Sequence, residues 1–98
     1  MIIDTRKYIL KYNLKETSIN NKEKKLILLL SDNKYHSIGE IRKYLGYITN
    51  LQVRILINQI NHRLKNNWRV KLIQCRKNKH NFTGRDLYKT IYTIGITY

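Results

Sequence analysis

The chain has 98 residues, which is room for one domain and one hydrophobic core. Hydrophobic residues make up 42%, enough for a compact fold, and this excludes a disordered basic tail. Lys and Arg number 20 against 6 Asp and Glu, so the net charge is +14 and the pI is near 10.1. A charge of this size repels itself and calls for a polyanionic partner, nucleic acid first and an anionic membrane surface second. The longest apolar run, Leu26 to Leu30, is too short to span a bilayer. Asp4 and the absence of a cleavable apolar core argue against a signal peptide. A single cysteine, Cys75, excludes an internal disulfide and fits a reducing cytoplasm.

In chain order, Met1 to about Lys15 reads as extended. Ile2 and Ile3, then Tyr8, Leu10, Tyr12 and Leu14, follow a period of two, and Asn13 suits a turn, so one or two short strands are expected. Three helices follow. Each opens with a capping-box pattern: Asn20 with Glu23, Ser37 with Glu40, and Thr49 with Gln52. The first helix is expected at about 21–31, with Leu26, Ile27, Leu29 and Leu30 inward. The second is expected at about 38–45, with Ile38, Ile41 and Leu45 inward and Gly46 as its C-terminal cap.

Only Gly46, Tyr47 and Ile48 separate that short helix from a longer one at about 49–65, which is the helix-turn-helix spacing. Val53, Ile57, Ile60 and Leu64 recur at steps of four, three and four and form its inward stripe. The opposite face carries Gln52, Ile55, Asn58, Gln59 and His62. From Ile41 to Arg85 the chain has no acid and eleven Lys or Arg. A solvated face normally carries both signs, so this long one-sign field points to a polyanion.

Beyond Leu64 the pattern changes. Val70, Leu72 and Gln74 alternate with Lys71, Ile73 and Cys75, which reads as a strand. Residues 76–86 are polar and basic and include Gly84. Leu87 to Tyr98 is rich in β-branched and aromatic residues and reads as one long strand or a tight hairpin around Gly95. Helices followed by a basic hairpin describe a winged helix. The expected class is therefore α+β, a single winged helix-turn-helix domain over residues 1–98. The segment 66–90 is either an enlarged wing or carries an extra strand.

The run Val53-Arg54-Ile55-Leu56-Ile57-Asn58-Gln59-Ile60-Asn61-His62-Arg63-Leu64 is similar, without a gap, to the recognition helix of the OmpR/PhoB-type and ToxR-like effector domains, roughly V-D-V-H-I-S-R-L-R-K-K-L. Ile91, Thr93, Ile94, Gly95 and Tyr98 resemble that family's wing, I-x-T-V-x-G-x-G-Y, with one residue fewer and Thr97 at the second Gly. The resemblance implies an N-terminal sheet, three helices, a C-terminal wing and DNA binding by a bacterial transcription regulator. Arg54 stands where the family has an acid, Gln59 and Asn61 stand where it has basic residues, and Asn58 stands where it has a Ser. Position and orientation thus carry over, while particular base contacts do not.

Candidate base-reading residues are Gln52, Ile55, Asn58 and Gln59. The two amides at 58 and 59 match adenine N6 and N7, and Ile55 matches a thymine methyl. Gln52 has the alternative of serving only its cap, and Ile55 that of packing against a neighbouring element. Arg54, His62, Arg63 and Lys65 are candidates for phosphate oxygens. Arg76, Lys77, Lys79, Arg85 and Lys89 form a candidate basic wing for the backbone or a narrow minor groove, with a solvated loop as the alternative. Tyr35, Tyr44, Tyr47, Tyr92 and Trp68 have the chemistry to stack or to bond phosphates, and most of them read as half-buried core and cap residues.

His36, His62 and His80 have no Cys or acid at metal-ligand spacing, and no catalytic set or phosphate loop appears. The expectation is a non-enzymatic, cytoplasmic, nucleoid-associated DNA-binding regulator without cofactor, metal or membrane contact. RNA polymerase and a second copy of the chain, as a homodimer or a tandem pair on DNA, are further candidate partners. The alternatives are a protein-docking module and non-specific binding of nucleic acid, RNA included.

Overall fold

Strand pairing at the N-terminus follows directly from the alternation of side chains. A computed structural model describes residues 1–76 and 86–97. Strands β1 (Ile2–Asp4), β2 (Ile9–Tyr12) and β3 (Lys15–Ser18) run antiparallel in sequence order. Ile3 and Leu10 are paired across β1 and β2, and both are fully buried. The turn between β2 and β3 places Asn13 at φ 55°, a left-handed conformation that Asn tolerates better than most residues. One or two strands were expected here, and β3 makes a third. Its sequence, Lys-Glu-Thr-Ser, carries no strand signal. It is held as an edge strand, where charge is tolerated and discourages further pairing.

Helices α1 (Asn21–Leu30), α2 (Ile38–Leu45) and α3 (Asn50–Trp68) follow, making an α+β fold. Asn20 and Glu23 close a complete capping box at 2.8 and 3.0 Å. Thr49 and Gln52 close another, at 3.4 and 3.0 Å. The box expected at α2 is half made. Ser37 Oγ accepts from the Glu40 amide at 3.2 Å, but the Glu40 carboxylate turns to His36 instead. Gly46 ends α2 at φ 73°, where its amide reaches Lys43 O. Lys22 of α1 donates to the last carbonyl of α2, Leu45 O, and its ammonium lies over the Tyr47 ring.

The inward stripe of α3 is buried as its spacing requires. Val53, Ile57, Ile60 and Leu64 are all almost fully covered, and each contributes about 1.5–3 kcal/mol by leaving water. The helix runs to Trp68 rather than stopping near Lys65. Position 68 is the next inward step after 64, and the indole stacks on Tyr12 at 5.6 Å. Tyr92 closes the same aromatic cluster edge-on to Tyr12 at 5.5 Å. Burial pushes the Tyr92 phenol above its ordinary pKa, and contact with the Tyr12 hydroxyl adds to this.

Between α1 and α2 lies β4 (His36–Ser37). After α3 come β5 (Ile73–Arg76), β6 (Leu87–Thr90) and β7 (Gly95–Thr97). Strand β6 sits between β4 and β5, antiparallel to both, in a three-stranded sheet. The expected alternation of Val70, Leu72 and Gln74 does not occur. Leu72 and Ile73 are both buried, and the strand begins only at Ile73. Nor is 87–98 a single strand or a hairpin at Gly95. The chain leaves β6 at Thr90, buries Ile94, and enters the other sheet, where β7 lies parallel to β1. Gly95 opens β7 with its amide on Met1 O at 2.9 Å. The four-stranded order is β3-β2-β1-β7.

Candidate nucleic-acid interface

At 100° per residue, Leu51, Ile55, Asn58 and His62 fall on one line of α3, opposite Val53, Ile57, Ile60 and Leu64. Asn58, Gln59, His62 and Lys65 are exposed, and so is Ile55 at 48%. Ile55 therefore does not pack beneath a neighbouring element. Leu51, one turn earlier on the line, is 61% exposed, and Ile48 before the cap is 84% exposed. These two were missed from sequence, although the step of four from Leu51 to Ile55 carries the signal.

Gln52 performs its capping role. Its Oε1 accepts from the amides of Ile48 at 2.9 Å and Thr49 at 3.0 Å, which leaves only its Nε2 free to turn outward. The cap is neutral, and the first turn of α3 contains no acid. The amide groups at that helix end thus keep their positive field for an anion.

The basic residues divide. Arg63, expected beside phosphate, faces the molecule's own interior side instead. Its Nη1 lies 3.1 Å from Glu23 Oε1 and 2.9 Å from Ser18 O, tying α3 to α1 and to the end of β3. Glu23 is 1% exposed, and a buried carboxylate needs a cation nearby. Arg54 remains outward, 4.0 Å from Asp86, with its side chain 46% exposed. Such an ion pair at the surface restrains little. His62 accepts from Asn66 Nδ2 at 3.1 Å.

Asn61 was not singled out from sequence, and it locks α3 to the second sheet. Its Oδ1 accepts from the amides of Leu72 and Ile73 at 3.2 and 2.9 Å, and its Nδ2 donates to Ile73 O at 2.9 Å. On either side of this latch is a shallow hollow. One, of about 270 Å³, is bordered by Arg54, Asn58, Lys71, Cys75, Asp86 and Tyr88 among others. The second is bordered by Asn58, His62, Lys65, Arg69, Val70 and Lys71. Asn58 and Lys71 belong to both, and the sole acid among these residues is Asp86. Burial, then Cys75 and Asp86 beside it, push the Tyr88 phenol up to about 12, against the pull of Arg54. Tyr88 therefore stays neutral and adds no negative charge to the hollow.

On the β5–β6 pair, Arg76 and Lys89 both lie over the Tyr35 ring, at 5.9 and 5.4 Å from its centre. Gln74 Nε2 donates to the Tyr35 hydroxyl at 2.9 Å. Tyr35 thus gathers two of the predicted wing cations. Lys77, Lys79 and Arg85, and with them His80, Gly84 and Tyr98, lie outside the described residues.

The histidine reading needs one correction. His36 is buried and does have acids beside it. Its Nε2 is 3.0 Å from Asp32 and its Nδ1 is 2.9 Å from Glu40. Burial pulls its pKa down, but the two carboxylates outweigh this and hold it above its ordinary value. The His36 hydrogen bond in turn holds Asp32 below the usual carboxylate range. Both ring nitrogens are engaged, and no cluster that could hold a metal occurs among the described residues.

No family model matches this chain, and no curated protein or solved structure matches it. Among the described residues no helix is long and apolar enough to cross a membrane.

Proposed function

We propose that the chain is a sequence-specific, double-stranded DNA-binding transcription regulator of winged-helix type, similar to the OmpR/PhoB effector domains. The observation that carries this reading is the outward face of α3. It is exposed along Ile55, Asn58, Gln59 and His62, and it lies in a stretch from Ile41 to Arg85 without a single acid. In this reading α3 enters the major groove, and its neutral N-terminal cap approaches a phosphate. Asn58 and Gln59 read base edges. Arg54, Lys65, Arg69 and Lys71 hold the backbone without reading sequence. Strands β5 and β6 with β4 form the wing, and Arg76 and Lys89 face the flanking phosphates from the Tyr35 platform. The order of strands and helices, with a four-stranded sheet before α1 and at the chain's end, supports the same reading. No residue is assigned a catalytic role, and the chain works as a binding protein.

The test is selection of bound sites from a random DNA pool at moderate salt. A clear motif is expected. With roughly six phosphates neutralised, log K falls against log salt with a slope of about −5. Equal competition by random DNA or structured RNA would reduce the reading to non-specific nucleic-acid binding. Absence of any shift near physiological salt would leave the basic face to an acidic protein partner.

A further inference from the structure

Resting on that reading, we propose that Leu51 and Ile55, with Ile48 leading into them, read thymine methyl groups. The target then carries thymines under the N-terminal half of α3. Scattered apolar side chains on a surface need no explanation, but these are not scattered. Ile48, Leu51 and Ile55 are exposed at 84%, 61% and 48%, and they follow one another at steps of three and four. Leu51 and Ile55 sit on the line of α3 that points directly away from the core, where a solvated helix carries Lys or Glu. Further along the same line come Asn58, His62 and Lys65. The outward line is apolar in its first half and polar in its second.

The surroundings narrow the choice of occupant. The sequence around the apolar line has Arg42, Lys43 and Arg54 and no acid, while Lys65, Arg69 and Lys71 border the polar half of the helix; Arg54 is 4.0 Å from Asp86. An apolar line inside a positive field suits a ligand that is polyanionic overall and apolar at the point of contact. The major groove of DNA has that character: phosphates rim it, and the thymine C5 methyl is the apolar group on its floor. RNA lacks this methyl, and its major groove is too narrow for a helix. The spacing also agrees. Leu51 and Ile55 are separated by about 6 Å along the axis, close to two base-pair steps of about 3.4 Å. Asn58 follows within the next turn, placed for an adenine N6/N7 pair beyond the thymines.

Replacing thymine by deoxyuracil removes the methyl and keeps the hydrogen-bonding edge, so it isolates this contact. In a selected site, two or more thymine positions are expected to lose about fourfold each when substituted, as expected for one methyl-sized group returned to water. Leu51→Ala and Ile55→Ala fold normally because both side chains are exposed. Each is expected to erase the deoxyuracil penalty at one position and leave the other unchanged. DNA binding that is specific yet indifferent to deoxyuracil at every position would overturn the methyl contact and leave the regulator reading intact. Loss of sensitivity everywhere because no DNA is bound would sink both. If the two alanine variants keep full DNA affinity but abolish self-association in sedimentation, the apolar line belongs to a second copy of this chain.

Discussion

Helices α1 and α3 begin with the same device and use it in opposite ways. Both have a complete capping box, but the third residue is Glu23 in α1 and Gln52 in α3. Glu23 is buried, and its charge draws Arg63 inward across forty positions of sequence. Gln52 satisfies the amide of its cap residue, Thr49, and that of Ile48 before it without charge, at an exposed helix end. A carboxylate in a cap recruits the protein's own cations. An amide in the same place leaves the cations and the helix dipole for a partner. Arg63 and Arg54 show the outcome on one helix, one tied to Glu23 and the other half open to solvent.

The largest expected effect breaks the α1 side of this contrast. Arg63→Met leaves Glu23 buried without its cation and is expected to cost about 3–5 kcal/mol in denaturant unfolding. Arg54→Met is expected to cost under about 1 kcal/mol while weakening DNA binding on all sequences alike. A similar stability loss for both would show that the two arginines do not differ as described. Next comes the support behind the outward face. Asn61→Ala orphans the amides of Leu72 and Ile73 and is expected to cost about 1–3 kcal/mol. A smaller loss would mean that β5 is held against α3 by apolar packing alone.

Gln52→Glu sharpens the comparison, because stability and binding should move apart. An acid in the first turn of α3 raises stability by about 0.3–1 kcal/mol through the helix dipole. Facing a phosphate, it also weakens DNA binding by about fivefold, the equivalent of about 1 kcal/mol of repulsion at 4 Å. Paired melting curves and shift assays check both signs at once. If binding tightens, the N-terminus of α3 does not meet phosphate.

The smallest effect concerns α2, whose cap residue Glu40 goes to His36. The folded pKa of His36 is raised, so its contribution is fully present below about pH 6.5 and is lost as pH rises through the folded value. Asp32 has a lowered pKa, so its contribution is present above about pH 3.8 and fades as pH falls through its folded value. Stability is therefore expected to decline by a small amount as pH rises above about 6.5. His36→Asn should flatten that decline in thermal melts between pH 6 and pH 9.

Local patterns were readable from the residues alone, and distant pairings were not. The bounds of α2, the Gly46 cap and the inward stripe of α3 depend on neighbours within one or two turns, so their spacing reveals them. The extra turn to Trp68 depends on Tyr12 being there to receive the indole. Strand β3 exists because β2 offers it an edge, and nothing in Lys-Glu-Thr-Ser says so. Arg63 is indistinguishable by sequence from Arg54 until Glu23 is brought to it. Asn61 resembles any surface amide until Leu72 and Ile73 arrive with unpaired backbone groups. Of the candidate interface, Ile55, Asn58 and Gln59 were legible through periodicity, and Leu51 was overlooked on the same line.

The parallel pairing of β1 with β7 has a mechanical consequence. Ile2 lies opposite Gly95 and Asp4 opposite Thr97, so the start of one strand and the end of the other lie at opposite ends of the ladder. Tension applied between the two chain ends therefore shears these strands past each other instead of unzipping them. All rungs bear the load together, and the helices remain shielded until the ladder gives way as a unit.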